Sequence, residues 1–318
     1  MTEKSQPLTA RGTLIAQPGV TLAAALRAHL PGRSWSDLRG LCTSGKISVD
    51  GLRELDPARR LGGGEEVSWS LNAPDPRRRE ERPGFRIVHE DGDLIVIEKP
   101  EGISTVPFER KESGTALDLI REAWRRKGRK GAHAALFAVH RLDKETSGLV
   151  CFAKTKRAER GLHVVFKQHQ AERTYLAVAH GQVHAGRIES TLVPDRGDGL
   201  RGSARRPQQE GQHAVTHVQV VEALRGATLC RVRLETGRTH QIRIHLAERG
   251  HPLVGEPVYI RDFKDQGGRL LPSARLLLHA ATLGFVHPIT NENLCFESEL
   301  PPSFTRELER LRVGAGAT

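Results

Sequence analysis

The chain has 318 residues, and its 49 Lys and Arg against 38 Asp and Glu give a formal net charge of +11 and a pI near 9.9. This charge favours a nucleic acid over a membrane as the partner, because no apolar run reaches the roughly 18 residues that span a bilayer and no basic amphipathic helix is apparent. Four widely separated cysteines without a CxxC pair argue against a disulfide framework, and the scattered histidines give no metal-ligand spacing, so we expect a cytoplasmic protein without a metal.

The N-terminal segment is predicted to form a disordered leader followed by two helices. Residues 1–15 begin with a polar stretch and contain no secretion signal. Apolar residues recur at helical spacing in residues 21–30, which predicts the first helix. Ser34 and Asp37 form a capping pattern, which predicts a second helix over residues 35–44.

A small hairpin follows these helices. Residues 46–49 alternate as a strand, and Asp50-Gly51 is a strong turn signal. Two helices and a hairpin, with cations around the second helix, resemble the small RNA-binding module first seen in a ribosomal small-subunit protein (the S-four-like module), here over residues 16–71. The resemblance implies that Arg39 and Lys46 contact RNA. A helix-hairpin unit of unrelated role is the alternative.

A second domain is predicted to follow a linker. Residues 72–84 (NAPDPRRREERPG) are charged and Pro-rich and lack apolar periodicity, which predicts a flexible tether. Residues 85–88 and 94–97 are apolar segments around an Asp91-Gly92 turn and predict a β-hairpin. This hairpin opens a domain that we expect to extend over residues 85–312.

In the rest of this domain, predicted strands outnumber predicted helices. Helices are expected over residues 115–126, 158–168 and 240–249, and strands over residues 174–179, 188–192, 216–223, 228–234, 276–283 and 294–298. Residues 195–212 contain four arginines and are expected to form a mobile loop. Because helices and strands do not alternate as βαβ units, the predicted class is α+β: a mixed, largely antiparallel sheet beside a small N-terminal α+β module.

One segment, residues 140–150 (HRLDKETSGLV), combines a single aspartate with neighbouring cations. Asp143 lies close to Arg141 and Lys144, and the apolar residues 149–153 predict a buried strand that would keep the turn rigid. A carboxylate in a basic setting stays ionised and can act as a nucleophile or a base. From these residues alone, a turn cap paired with Arg141 is the alternative.

This string closely resembles the catalytic signature of the RluA-like pseudouridine synthases. Four further segments resemble the same family in the same order: residues 87–102, 172–177, 234–256, and the closing strand and tail at 275–280 and 301–304. Glu98 stands where the family usually has Asn, and Glu256 stands where an Asp is more usual. Because five motifs occur in order, the chain is identified as a member of that family, and its pseudouridine synthase fold is expected for residues 85–312.

The resemblance implies a reaction and the residues that carry it. Uridine in RNA is isomerised to pseudouridine: the N1–C1′ bond breaks, the uracil turns and C5 joins C1′, so no atom enters and no cofactor is expected. Asp143 is implied to be the catalytic carboxylate, Tyr175 the ring packed on a flipped-out base, and Arg243 the bidentate partner of Asp143. Glu256 is expected only to cap or to pack.

The resemblance also implies the partner. Relatives with this architecture mostly act on large-subunit ribosomal RNA, which is therefore the expected substrate. Transfer RNA, and a catalytically silent RNA-binding factor of ribosome assembly, are the alternatives. DNA binding is not expected, and a monomer is the default expectation. Near the active site, Arg238, His140 and Arg141 are expected to contact RNA, and a purely structural role is equally open for the last two.

Overall fold

A computed structural model describes residues 11–43, 46–70, 85–107, 112–126, 135–206 and 209–312. The chain divides into two compact units, residues 1–83 and 84–318. The linker predicted at residues 72–84 lies outside the described residues, as do residues 1–10 of the predicted leader. The flexibility of both segments therefore stays a prediction.

The first unit is a four-stranded antiparallel sheet with two helices. In chain order its elements are β1 (Arg11–Ile15), α1 (Leu22–His29), α2 (Trp35–Thr43), β2 (Ile47–Val49), β3 (Leu52–Arg53) and β4 (Glu66–Ser70). The strands follow the order β1-β4-β2-β3. Leu26, Leu38, Ile47 and Val67 are fully buried and form one core, so the helices and the sheet fold as a single body.

Both predicted helices of this unit are confirmed, together with the predicted cap of the second, and the structure adds a cap for the first. The Thr21 hydroxyl accepts a backbone N–H of α1 at 3.4 Å. At the start of α2, the Ser34 N–H donates to the Asp37 carboxylate and the Asp37 N–H donates to the Ser34 hydroxyl, each at 3.1 Å. These bonds satisfy N–H groups that have no partner inside the helix, which is why the capping pattern marks the helix start.

The predicted disordered leader is wrong for residues 11–15. These residues form β1 and pair with β4 along five positions, from Arg11 opposite Ser70 to Ile15 opposite Glu66. Leu14 is 6% exposed and packs in the core of the first unit. The ladder of hydrogen bonds and this burial together hold the segment in the sheet.

The second unit is built on a largely antiparallel sheet, which confirms the predicted α+β class. Its strands are β5 (Arg86–Glu90), β6 (Leu94–Lys99), β7 (Phe137–Ala138), β8 (Ser147–Ala153), β9 (Glu172–His180), β10 (Gly186–Val193), β11 (Gly202–Ser203), β12 (Gln212–Leu224), β13 (Ala227–Leu234), β14 (Leu278–Val286) and β15 (Asn293–Glu297). Its helices are α3 (Ala116–Arg126), α4 (Lys156–Lys167), α5 (Gln241–Glu248), α6 (Arg261–Asp265) and α7 (Pro302–Arg312). The strand order is β11-β10-β12-β13-β9-β14-β8-β6-β5, with β15 beside β14 and β7 beside β8. β14 and β8 run parallel.

β8 lies within the sheet, and all seven of its residues are buried. Val150 and Phe152 pack in one core with α3 and α5, whereas Leu149 and Cys151 pack in a second core with α4. Because both faces are covered, β8 has an uninterrupted apolar sequence rather than an alternating one. The predicted buried strand is confirmed, and each fully buried side chain of this kind stabilises the fold by about 1.5–3 kcal/mol.

The mobile loop predicted at residues 195–212 is wrong in its described part. Arg196 is 8% exposed, and its guanidinium donates to Asp198 at 3.0 Å and to Asp262 at 2.8 Å. Within the same segment, β11 pairs with β10. The ion pairs of the buried Arg196 and the pairing of β11 with β10 therefore hold this arginine-rich segment against the domain.

Candidate active site

Asp143 lies in the turn that enters β8, and hydrogen bonds fix the backbone of this turn on both sides. Thr105, itself buried, donates its hydroxyl to the Leu142 carbonyl at 2.8 Å and accepts the Leu142 N–H at 3.0 Å. On the other side, the Thr146 N–H donates to the Asp143 carbonyl at 3.1 Å. Leu142 is buried in the core, so a rigid backbone positions the Asp143 carboxylate.

A buried lysine fastens the same turn to β6. Lys99 is 1% exposed, and its ammonium donates to the carbonyls of Pro100 and Ile103 at 2.8 Å and to that of Lys144 at 3.2 Å. Burial lowers the pKa of Lys99 to about 7, although nearby carboxylates, Asp143 first, oppose this shift. The sequence does not reveal this role of Lys99, because its carbonyl partners come together only in the fold.

The register of β14 brings Tyr175 beside this turn. Ala280 of β14 lies opposite both Gly148 of β8 and Tyr175 of β9. Gly148 has a φ of +114°, and a Cβ there would lie 2.2 Å from the Ala280 carbonyl oxygen, so glycine is what allows the strands to approach this closely. Burial raises the pKa of Tyr175 to about 12, so its phenol is neutral at pH 7.

Arg243 of α5 faces Asp143, but the predicted bidentate pair between them is wrong. Its Nε and Nη2 donate to the two carboxylate oxygens of Glu256 at 2.8 and 2.7 Å. Its Nη1 lies 3.8 Å from Asp143 Oδ2 and 3.7 Å from Glu145 Oε2, beyond hydrogen-bond distance. The guanidinium fork is occupied by Glu256, so Arg243 acts on Asp143 through its charge across a short gap.

The expectation that Glu256 only caps or packs is also wrong. Its side chain is fully buried, and Oε1 additionally accepts the Val258 N–H at 2.9 Å. Gly255 has a φ of +81°, and a Cβ there would lie 1.8 Å from the Arg275 carbonyl oxygen, so this turn packs directly against that backbone. Burial lowers the pKa of Arg243, but the hydrogen bonds and charge of Glu256 outweigh this effect and raise it above its ordinary value. Glu256 therefore fixes both the charge and the position of Arg243.

His240 and Tyr259 complete the surroundings of Asp143, and the sequence does not single out either. His240 precedes α5 with a φ of +57°, and its Nε2 lies 3.9 Å from Asp143 Oδ1. Its Nδ1 forms a hydrogen bond with the Tyr259 hydroxyl at 2.7 Å, and the Arg243 guanidinium lies 5.4 Å from the centroid of the Tyr259 ring. Burial lowers the pKa of His240, although the charge of Asp143 opposes this shift. Tyr259 thus contacts both side chains that face the carboxylate.

Two cavities meet at Asp143. One has a volume of about 580 Å³ and contains Tyr175 in its wall, and the other has a volume of about 710 Å³ and contains Arg201. The Asp143 side chain is 16% exposed, so its carboxylate is shielded from bulk water and reachable from both cavities. Each volume suits a nucleotide-sized ligand. The residues that line both cavities are Arg141, Leu142, Asp143, Thr239, His240 and Arg243.

Comparison with known proteins assigns this site to a family. A family model described as RNA pseudouridylate synthase matches residues 93–248. Ribosomal large subunit pseudouridine synthase D of Zymomonas mobilis is 34% identical over 295 residues, which cover 89% of this chain and 91% of that protein. The protein of the same name from Escherichia coli O157:H7 is 32% identical over 315 residues, covering 93% and 92%. The solved structure of human RNA pseudouridylate synthase domain containing 4 matches with a TM-score of 0.57 at 26% identity, over 71% of this chain and 92% of that one.

The chain belongs to the RNA pseudouridine synthase family. It is an isomerase that acts on RNA, and the family resemblance of its five motifs is confirmed. The two bacterial relatives match more of the synthase than its second unit contains, so the similarity extends into the first unit.

Among the residues that the sequence places at the RNA, His140 has a clear structural role in the synthase. Its Nε2 accepts the Cys151 N–H at 2.9 Å, and its ring stacks on Phe166 with the centroids 4.3 Å apart. Burial lowers the pKa of His140 to about 3, so the imidazole is neutral at pH 7. Contact of His140 with RNA stays a prediction.

The four predicted RNA-binding cations lie in two places. Arg141 is exposed and lines both cavities. Arg238 is half-buried in the wall of the Tyr175 cavity, and its Nε donates to the His213 carbonyl at 3.0 Å. Arg39 is exposed and Lys46 is half-buried in the first unit. For these four residues, RNA contact stays a prediction.

The described part of the synthase contains neither a membrane-spanning helix nor a candidate metal centre. None of its helices is both long and apolar enough to cross a bilayer. No three His, Cys, Asp or Glu side chains in the same ranges are grouped so that they could hold a metal ion. That the synthase works without a metal or cofactor stays a prediction.

Proposed function

We propose that this synthase isomerises uridines in large-subunit ribosomal RNA, with Asp143 as its catalytic carboxylate. The position of Asp143 carries this proposal: its carboxylate lies where two nucleotide-sized cavities meet, on a backbone fixed by Thr105. The names of the bacterial relatives, which refer to the large ribosomal subunit, support the choice of RNA. The similarity to these relatives extends into the first unit, which supports the choice of this RNA further.

Asp143 acts at C1′ of the target uridine. Its carboxylate either bonds to C1′ as the N1–C1′ bond breaks, or stabilises the positive charge that develops on the sugar. In both cases the uracil leaves with the bonding electrons, turns, and bonds to C1′ through C5, and any bond from Asp143 to C1′ breaks as the C5–C1′ bond forms. Loss of the C5 proton and gain of a proton at N1 balance the isomerisation without an external reactant.

Arg243 and Glu256 keep this carboxylate available to the substrate. The Arg243 guanidinium faces the Asp143 carboxylate from 3.8 Å without a direct hydrogen bond. Because Glu256 engages two nitrogens of Arg243, the arginine is held back from a direct pair that would occupy both oxygens of Asp143. The carboxylate therefore remains free to meet the sugar.

Tyr175 supplies a surface for the flipped base. A uridine leaves the RNA stack at a cost of a few kcal/mol, and stacking on an aromatic ring recovers about 1–3 kcal/mol per base. The phenol of Tyr175 is buried and neutral, because its pKa is raised to about 12. We therefore assign its contribution to the ring rather than to proton transfer by the hydroxyl.

Further proposals concern the RNA contacts and the compartment. Arg141 and Arg238 at the cavities, and Arg39 and Lys46 in an S-four-like first unit, contact the RNA backbone, since cations position a polyanion beside a reactive site. The four cysteines are free and three of them are buried, which supports the reducing cytoplasm. The monomeric state stays a prediction.

Tritium release from RNA labelled at uridine C5 tests the reaction and the substrate together. Total RNA from cells that lack the synthase is separated into large-subunit, small-subunit and transfer RNA, and each fraction is incubated with the purified protein. Release from large-subunit RNA alone is expected. Release from transfer RNA alone would contradict the proposed substrate and leave the reaction intact. No release from any fraction would contradict an active Asp143 centre and favour a silent RNA-binding factor.

A further inference from the structure

The first unit exposes a tryptophan that its fold does not need. Trp35, the first residue of α2, is 44% exposed, whereas Trp69 and Trp124 are 8% and 2% exposed. Leu38 and Leu41 form the buried face of α2, and Trp35 lies outside the core of the unit. One exposed apolar residue is ordinary by itself. The contacts and the charges around Trp35, however, indicate that this residue binds a ligand.

An arginine restrains this ring. Arg27 lies in the last turn of α1, and its guanidinium carbon is 4.7 Å from the centroid of the Trp35 ring. A cation over an aromatic face is a favourable contact even at an exposed site. The contact limits the motion of the indole, so less entropy is lost when a ligand orders the side chain.

Cations also surround an open depression beside the ring. It has a volume of about 630 Å³ and is lined by Arg27, Leu30, Pro31, Gly32, Arg33, Ser34 and Trp35. Within the described residues, the side chains of Arg33 and Arg39 form no hydrogen bond or ion pair. The acidic side chain of α2, Asp37, accepts the Ser34 N–H in the helix cap and offsets the charge of only one of the three arginines Arg27, Arg33 and Arg39. The net charge around the ring is therefore positive.

We propose that Trp35 is a stacking site for one unpaired nucleobase of RNA, with Arg33 and Arg39 holding neighbouring phosphates. Every base presents a π-face to an aromatic ring, and duplex bases are already stacked, so the site takes single-stranded or looped RNA. A protein partner would favour surroundings depleted in charge, whereas those of Trp35 are cationic. In taking RNA as the partner, this proposal rests on the proposed function.

The intrinsic fluorescence of the full chain reports on this site, because Trp35 is the exposed one of the three tryptophans. A single-stranded oligouridylate of about 12 nucleotides should quench the emission, and a blunt duplex of equal length should quench it much less. Trp35→Phe should lose the quenching and keep most of the affinity, because the phenyl ring still stacks. Absence of quenching by the single strand, or equal quenching by both RNAs, would overturn the proposal.

Affinity measured against salt concentration separates stacking from phosphate contact. Trp35→Ala should weaken oligouridylate binding about tenfold at every salt concentration, because stacking carries no charge. The double change Arg33→Gln and Arg39→Gln should instead flatten the slope of log affinity against log salt by about 1.4, at about 0.7 per phosphate of a single strand. Val221→Ala removes a side chain that is 46% exposed on β12 and should bind as the wild type does. Wild-type affinity in Trp35→Ala, or a changed salt slope, would count against stacking.

Tritium release by the wild type distinguishes this proposal from the proposed function. Turnover of large-subunit RNA without quenching would overturn the stacking site alone. Quenching without turnover would overturn the catalytic proposal and leave the stacking site standing. Trp35→Ala loses the contact with Arg27 but no core packing, so its unfolding temperature should fall by only about a few degrees. If it falls further, Trp35→Phe still tests the proposal, through the loss of quenching with retained affinity.

Discussion

The surroundings of Asp143 and the exposed face of α2 use arginine in opposite ways. Arg243 is 2% exposed, and its nitrogens all face carboxylates, two of them in hydrogen bonds with Glu256. Arg39 is exposed, and its side chain forms no ion pair within the described residues. The first arrangement fixes a charge in a narrow geometry, as chemistry at one carbon requires. The second leaves the charge in water, where it attracts phosphate in a salt-dependent manner.

This difference decides what a substitution should change. Buried groups of the second unit have no water to replace a lost partner, so their loss should alter turnover and the free energy of unfolding together. Exposed cations should alter RNA affinity and its salt dependence, because surface ion pairs contribute only about 0–1 kcal/mol to stability. A variant of an exposed cation that loses stability as well as RNA affinity would contradict this distinction between buried and exposed groups.

Apart from changes to Asp143 itself, the largest effect is expected from Glu256→Gln, which removes the charge that balances Arg243. A buried ion without its partner destabilises a protein by about 3–5 kcal/mol, and the freed Arg243 can turn onto Asp143. We expect the single-turnover rate to fall at least about a hundredfold and the urea midpoint to fall with it. Glu256→Asp keeps a carboxylate and should lose far less. Wild-type turnover in Glu256→Gln would show that this pair does not support catalysis.

Two variants of Tyr175 separate stacking from proton transfer. Tyr175→Ala removes the ring and should lower kcat/KM about tenfold to a hundredfold, in proportion to the stacking energy. Tyr175→Phe keeps the ring and should lose only about a few-fold, because a hydroxyl whose pKa is raised to about 12 is a poor proton carrier at pH 7. Steady-state tritium release measures both losses. Equal losses would assign the role to the hydroxyl instead.

His140 should make a smaller contribution, which is to the pH dependence of the free energy of unfolding. Its pKa is lowered from 6.5 to about 3 in the folded chain, so between these pH values the unfolded chain binds the additional proton. Stability is therefore complete above about pH 6.5 and decreases as the pH falls towards 3. From pH 7 to 5, urea unfolding should show the wild type losing about 1–2 kcal/mol more than His140→Gln.

An exposed histidine provides the control for this pH dependence. His163 lies on the solvent side of α4 with 54% of its side chain exposed, so His163→Gln should lose as much stability as the wild type. If His140→Gln also loses as much as the wild type, the imidazole of His140 is not held neutral by burial.

The smallest effect is expected from an exposed cation between the two cavities. Arg141→Gln should weaken binding of large-subunit RNA about threefold and flatten the salt slope by about 0.7–0.9, the contribution of one phosphate contact. Its unfolding free energy should match that of the wild type. Arg225→Gln, an exposed position that lines neither cavity, serves as the control in filter binding. A loss of stability comparable with Glu256→Gln would show that Arg141 belongs to the buried framework.

Local signals in the sequence predict much of the fold. The cap formed by Ser34 and Asp37 involves residues only three positions apart, and the uninterrupted apolar sequence of β8 predicts that both its faces are buried. Features that depend on distant partners are not predicted. β1 lacks an alternating pattern, because its apolar residues Leu14 and Ile15 are adjacent, and Arg196 is held by Asp262, which lies 66 residues further along the chain.

The candidate site shows the same division. Asp143, Tyr175 and Arg243 line one cavity, as the family motifs lead one to expect. The pairing among them was not predictable from spacing, because Glu256 reaches Arg243 from a turn 13 residues away, and that turn depends on Gly255 packing against another backbone segment. The signal in the sequence for this pairing was that Glu256 is an acidic residue within the matched segment 234–256.

The catalytic assignment of Asp143 is tested most directly by Asp143→Asn in single-turnover tritium release from a large-subunit ribosomal RNA transcript labelled at uridine C5. In the described structure the Asp143 carboxylate accepts no hydrogen bond, and Arg243 Nη1 and His240 Nε2 lie 3.8 and 3.9 Å from it, so the amide should leave the fold and RNA binding intact. We predict binding at wild-type affinity with no detectable release. Release at a rate close to that of the wild type would contradict the role of Asp143 as the catalytic carboxylate.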